Sequence, residues 1–112
     1  MGRIFRDMCT FDKDISGWDV SNVTNMSYMF SCASSFKHDI CNWNVSSVTS
    51  MFGMFHCAAM FNQDTGKWDV SRDTNMHCIF ENAASFNHDI GNWNVSIIKD
   101  MVGIFHGTSS FN

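Results

Sequence analysis

GWDVSNVTNMSYMF, residues 17–30, decides how this chain is read. In its first half Trp18 and Val20 alternate with Asp19, and Ile15 lies just upstream, giving the form I-x-x-W-x-V. Such alternation predicts a short strand with one face buried. In its second half the period changes. Met26, Met29 and Phe30, with Ala33 just beyond, fall at i, i+3, i+4 and i+7, which predicts one face of a short helix. Thr24, or the Ser21–Asn22 pair before it, suits the cap, because short hydroxyl and amide side chains accept the free N–H groups of a first turn. Ser34 and Ser35 end the pattern, and Phe36 turns back inward.

The same statement returns every 25 residues. Phe11, Phe36, Phe61, Phe86 and Phe111 keep that interval, and so do Trp18, Trp43, Trp68 and Trp93. Val20, Val45, Val70 and Val95 follow it, then Met26, Met51, Met76 and Met101, then Phe5, Phe30, Phe55, Phe80 and Phe105. No insertion breaks the register. The expected organisation is a single repeat domain over 1–112, with full units 11–35, 36–60, 61–85 and 86–110. Partial units occupy 1–10 and 111–112. Units two and four share His38/His88, Asn42/Asn92 and Gly53/Gly103, as if a 50-residue pair had been duplicated. A fixed period of 20 to 50 residues is the mark of a stacked array, in which each unit buries its apolar stripe only against its neighbours. The aromatic columns therefore read as core.

The stretches FNHDIGNWNVS and GWDVSNVTNMSYMFSCASSF resemble the BspA-like surface-protein repeat of about 25 to 26 residues, across essentially the whole chain. I-x-x-W-x-V also has the shape of the strand segment of leucine-rich repeats. The resemblance implies an α/β, leucine-rich-repeat-like, right-handed solenoid used for adhesion or protein binding, and it implies no catalytic residues. It points to the cell surface or the extracellular space, although MGRIFRDMCTF reads as no signal peptide.

Composition narrows the function classes. Hydrophobic residues make up 45% and charged residues 16%, too apolar and too weakly charged for a disordered tail. The net charge of −4, with no run of Lys or Arg, argues against nucleic acid. No stretch of 18 apolar residues offers a membrane span. Pro is absent, so the turns must be made by Gly, Asn, Asp and Ser. The five cysteines contain no C-x-x-C; Cys9, Cys32, Cys41, Cys57 and Cys78 are expected to be free thiols. Neither end shows a polar capping segment. The expectation is a fragment of a longer array or a chain whose ends a partner covers.

Three polar columns stand out. Asp19, Asn44, Asp69 and Asn94 alternate with the buried Trp and Val. Ser21, Ser46, Ser71 and Ser96 lie two residues on, and Gly17, Asn42, Lys67 and Asn92 two residues before. They are expected to line the exposed face of a sheet as a rigid hydrogen-bonding strip, the candidate binding surface. Against this stands a merely solvated face, since the strip has few aromatic or Arg anchors. Asp14, Asp39, Asp64 and Asp89 form another column, read as acceptors of local N–H groups ahead of calcium ligands. His38 with His88, and His56 beside Cys57 with Glu81 and His106, suggest zinc. Column mates two units apart are about 10 Å from one another, too far to share an ion, so no metal is assigned. Cys32 and Cys57 are placed about 8–10 Å apart by helix spacing, beyond disulfide reach. Sequons at Asn22, Asn25, Asn44 and Asn94 are read as chance matches.

The expected function is a non-enzymatic protein-binding or scaffold module without a cofactor. An accessory subunit of a larger assembly and a fragment of a longer surface protein are two forms of it. Carbohydrate or cell-surface adhesion is the alternative. Ice binding along Thr24, Thr49 and Thr74, a column broken by Lys99, ranks third. One irregularity sits in unit three: Thr65 replaces an Ile, and Asp73 replaces the apolar residue found as Val23, Val48 and Ile98. Buried unpaired, Asp73 is costly, so unit three is expected to open locally or to satisfy it through Arg72 or another partner. That makes unit three the expected soft point.

Overall fold

A computed structural model of the chain describes residues 2–99 together with Gly103 and Ile104. The column members Met101, Phe105, His106 and Phe111, and the end of the fourth unit, lie outside the described residues.

The destination of each backbone N–H explains the architecture. Along 26–33 alternate donors stay local: Met29 N–H bonds Met26 O at 3.2 Å, Ser31 bonds Tyr28 at 3.1 Å, and Ala33 bonds Phe30 at 3.0 Å. The donors between them leave the segment. Met26, Tyr28, Phe30 and Cys32 donate to the carbonyls of Ser50, Phe52, Met54 and His56, at 2.7–2.9 Å. Met51, Gly53, Phe55 and Cys57 repeat the pattern onto Asn75, His77, Ile79 and Glu81. The chain thus winds in successive coils. Each is a string of tight turns, and each coil is hydrogen-bonded in parallel to the next.

Two residues per coil hold the left-handed backbone conformation: Tyr28 (φ 59°) and Cys32 (φ 58°), then Gly53 (58°) and Cys57 (57°), then Cys78 and Asn82 (both 58°). Arg3 and Asp7 occupy these places in the first coil. A left-handed residue every fourth position cannot belong to a right-handed helix. Among the described residues there is no helix and no strand; the ladder registers only as two isolated parallel bridges, Asn25–Ser50 and Ser50–Asn75. The α/β, leucine-rich-repeat-like, right-handed solenoid is therefore incorrect. The physical reason is that the spacing i, i+3, i+4, i+7 fits consecutive three-residue turns as well as it fits a helix. A helix of two turns is marginal in isolation and would consume the donors that here bind coil to coil.

The opposite side of each coil carries the corners. Trp18 N–H closes on Ile15 O and Val23 N–H on Val20 O, both at 3.0 Å; Ile40–Trp43, Val45–Val48, Thr65–Trp68 and Val70–Asp73 do the same. Asx side chains stabilise these corners, as short carboxylates and amides do when they accept the N–H two residues on. Asp14, Asp39, Asp64 and Asp89 accept from Ser16, Cys41, Gly66 and Gly91 at 2.7–2.9 Å. These carboxylates are local acceptors, as their column suggested. Gly66 is needed for another reason: a Cβ there would sit 2.6 Å from the carbonyl oxygen of Asp89 in the next coil. Between these regions Thr49 and Thr74 each bond the Thr one coil earlier twice, through N–H (2.7 and 3.0 Å) and hydroxyl (3.2 and 3.3 Å).

The interior is two fused aromatic stacks. Phe30, Phe55 and Phe80 follow one another at 5.6–5.7 Å, and Phe36, Phe61 and Phe86 at 6.1–6.3 Å. Within each coil the stacks touch, with Phe30–Phe36 at 4.3 Å, Phe55–Phe61 at 4.1 Å and Phe80–Phe86 at 3.9 Å. All six rings are fully buried. Each buried Trp sends its indole N–H back one coil: Trp43 to Ile15 O, Trp68 to Ile40 O and Trp93 to Thr65 O, at 2.8–3.2 Å. The apolar body is buried and the polar edge paired, which is what a buried Trp requires. Trp18 remains 40% exposed.

Thr65 and Asp73 are both fully buried, at 0% exposure. One oxygen of Asp73 accepts Asn75 N–H at 3.0 Å; the other, Oδ2, and Thr65 Oγ1 have no partner. Arg72 is exposed and makes no ion pair with Asp73. The coil does not open to wet the carboxyl, because the ladders on either side hold its backbone in place. Burial pushes the Asp73 carboxyl up to about 6, against two backbone N–H groups that favour its charged form.

Candidate functional site

The strip read from the sequence lies along the corners of the stack, and among the described residues it is a row of turns and not the face of a sheet. Asp19 Oδ1 accepts both the N–H (3.0 Å) and the hydroxyl (2.6 Å) of Ser21. Asn44 with Ser46, and Asp69 with Ser71, repeat this pair of bonds. Asn94 accepts the N–H of Ser96 at 3.1 Å. The Ser hydroxyl and N–H hold the Asp19 and Asp69 carboxyls below the usual carboxylate range. Asn42, Lys67 and Asn92 stand exposed beside these turns. The strip residues are brought into line, but one acceptor oxygen of each Asx residue is already engaged within its own turn.

The histidines of the His38 column remain separate. His38 Nε2 lies 2.8 Å from Asp12 O and 3.2 Å from Asp12 Oδ1, while His88 Nε2 lies 3.0 Å from Asn62 O. Each ties its own coil to the coil before it.

A more structured surface forms on the left-handed turns at 27–32, 52–57 and 77–82. These segments point Met26, Met29, Phe30 and their equivalents inward, so the intervening residues face out. Tyr28 meets Phe52 edge-on at 5.0 Å, and Phe52 stacks on His77 at 5.1 Å with the rings 5° from parallel. The guanidinium groups of Arg3 and Arg6 lie over the Tyr28 ring, 5.2 and 4.7 Å from its centre. The result is an aromatic ribbon across three coils, capped at one end by two cations. Gly53 makes room for it, since a Cβ there would stand 2.8 Å from Tyr28 Cε1.

Grooves run on both sides of the ribbon. One, of about 540 Å³, is lined by polar groups of Asn25, Ser27, Ser50 and Asn75 together with Arg3. The other, of about 280 Å³, passes Arg6, Asp7 and Ser31 and reaches Cys32, His56 and Cys78. On the floor of the second groove His56 Nε2 is 3.7 Å from Cys57 Sγ and 3.4 Å from Glu81 Oε1, with Ser31 Oγ 3.5 Å from Nδ1. Burial pushes the Cys32 thiol up, and the neighbouring Cys57 adds to the rise, while a Ser31 hydroxyl bond opposes it.

Sequence reasoning missed both features of this face. It spaced Cys32 from Cys57 as neighbouring helices are spaced; as left-handed turns of bonded coils their sulfur atoms lie within 4.8 Å of each other. The ribbon has no periodic signal, because Tyr28, Phe52 and His77 are individual choices at outward positions. A Gly column mate opposite Tyr28 was the clue available.

No helix of the described residues is long and apolar enough to cross a membrane. No curated protein matches the chain, and no solved structure does. Residues 1–112 match the family described as Mycoplasma protein of unknown function, DUF285. The resemblance to the BspA-like repeat is corrected accordingly, since no direct match supports it and the two are related only in general. With the match spanning every residue, the chain belongs to the DUF285 family.

Proposed function

We propose that the chain is a non-enzymatic binding module that engages another protein through its left-handed-turn face. The observation that carries this reading is the Tyr28–Phe52–His77 ribbon with Arg3 and Arg6 at its end, flanked by two grooves. Aromatic and Arg side chains are the groups that anchor protein interfaces, and the corner strip has few of them. The remaining surface is a regular stack of satisfied turns, which suits a rigid scaffold. The partner that fits is a protein segment with an apolar side chain for the ribbon and a carboxylate for the two guanidinium groups. An accessory subunit within a larger assembly is one form of this reading.

The column positions supply conservative test variants. Tyr28→Asn keeps a residue that tolerates the left-handed backbone, and Phe52→Ser installs the residue that the previous coil carries at Ser27. Peptides selected by display against the wild-type chain are expected to be acidic and apolar. They are expected to lose at least tenfold in affinity for either variant. Selected peptides that bind both variants unchanged would defeat the reading. Adhesion to carbohydrate is the second reading, favoured by the same half-buried rings, whose faces accept the apolar side of a sugar; a glycan array probed with wild type and Phe52→Ser separates it from the first.

A further inference from the structure

We propose that Cys32, His56 and Cys57 form a binding site for a thiophilic, tetrahedral cation of the Zn²⁺ type. The proposal stands on this cluster alone and does not depend on the protein-binding reading. One ligand atom from each of the three residues lies within 4.8 Å of the other two. Zinc bonds of about 2.3 Å to sulfur and about 2.0–2.1 Å to nitrogen make the edges of a tetrahedron roughly 3.5 Å for sulfur to nitrogen and roughly 3.8 Å for sulfur to sulfur. The Cys57 Sγ–His56 Nε2 separation of 3.7 Å is already close to such an edge.

The fold brings Cys32 up to the His56–Cys57 pair, whose two residues are neighbours in sequence. Cys32 and Cys57 hold the same left-handed position in consecutive coils, so their side chains leave the backbone in the same direction one ladder step apart. His56 immediately precedes Cys57 and is itself bonded through its carbonyl to Cys32 N–H at 2.7 Å. Around the three ligands stand the groups such a site needs. Ser31 Oγ faces His56 Nδ1 at 3.5 Å, which suits an Nδ1–H donor and leaves the Nε2 lone pair for the cation. Glu81 Oε1, 3.4 Å from Nε2, is placed to turn in as a fourth ligand or to hold a bound water. The second groove reaches Cys32 and His56, so an ion has a path from solvent to a half-buried site.

The test is titration of the reduced, full-length chain with Co²⁺, followed by displacement with Zn²⁺. The expected result is one Co²⁺ per chain with sulfur-to-cobalt charge-transfer bands and strong visible bands of tetrahedral geometry, lost on adding Zn²⁺. Cys32→Asn and Cys57→Asn keep the left-handed turn, because Asp7 and Asn82 already occupy that place in the coils before and after them. Each is expected to abolish the charge-transfer bands, while Cys41→Ser keeps them. Absence of the bands in the wild type, or their survival in both Asn variants, overturns the site. A second readout does not depend on variants folding. Zn²⁺ is expected to slow alkylation of Cys32 and Cys57 at least tenfold, followed by mass spectrometry, with Cys9 and Cys41 unchanged. Equal alkylation rates with and without Zn²⁺ also overturn it.

Discussion

The coils over 36–60 and 61–85 are built on one plan and differ at two buried corners. Where the first has Ile40 and Val48, the second has Thr65 and Asp73, and all four side chains are out of solvent. The turns are the same: Ile40–Trp43 and Val45–Val48 in one, Thr65–Trp68 and Val70–Asp73 in the other, all closed at 3.0–3.1 Å. The difference teaches that a coil's path is set by the ladders above and below it. Thr65 and Asp73 are each carried inside with one side-chain oxygen unpartnered, and the backbone does not yield. A lone helix or hairpin has no such external template and would expose the group.

Carrying the carboxylate into the apolar coil is the strongest way to break this comparison. Val48→Asp is expected to lower stability by about 4 kcal/mol, combining a buried ionisable group with the lost transfer energy of Val. Chemical denaturation at neutral pH measures it; a loss under about 1 kcal/mol would mean that the corner can open after all. The reverse change sharpens the same point. Asp73→Val is expected to raise stability at pH 7 by about 3 kcal/mol, since a carboxyl near pH 6 in the fold and about 3.9 in the unfolded chain is penalised when charged. The sign is fixed by proton counting. Between about pH 4 and pH 6 the folded chain holds more protons at Asp73, so wild-type stability falls as pH climbs through that window. The variant is expected to lose that decline, and an unchanged pH profile would assign it elsewhere. The smallest of the three effects belongs to the hydroxyl. Thr65→Ile restores the residue of Ile15 and Ile40 and removes an unpartnered buried oxygen, for a gain of about 1–2 kcal/mol in the same assay.

Much of the interior was legible in the residues. Columns of Phe at intervals of 25 name the rings that stack, because in a ladder the neighbour of a residue is its equivalent in the next coil, whereas Trp43, Trp68 and Trp93 pack on Phe30, Phe55 and Phe80. The Asp14 column was legible as turn chemistry, since Asp followed two residues later by Ser, Cys or Gly is a local arrangement that needs no tertiary information. The secondary structure was misread over Met26–Ala33, where a helix and a string of left-handed turns place the same side chains on the same face. Among the described residues the candidate strip lies on turns and not on a sheet, and the pairing of Asp19 with Ser21 engages an acceptor oxygen that the strip offered to a partner.

By itself the sequence determined the period, the membership of each core column and the corners closed by Asx side chains. Each of these follows from identity at a fixed interval or from contacts two or three residues long. Tertiary structure alone decided whether Tyr28 N–H would bond within its own turn or to Phe52 of the next coil. That choice removed the helix, set Cys32 against Cys57 and brought Tyr28, Phe52 and His77 into one ribbon. Its physical reason is that a backbone donor is identical in every residue, so its partner is selected by what the stacked coils place opposite it.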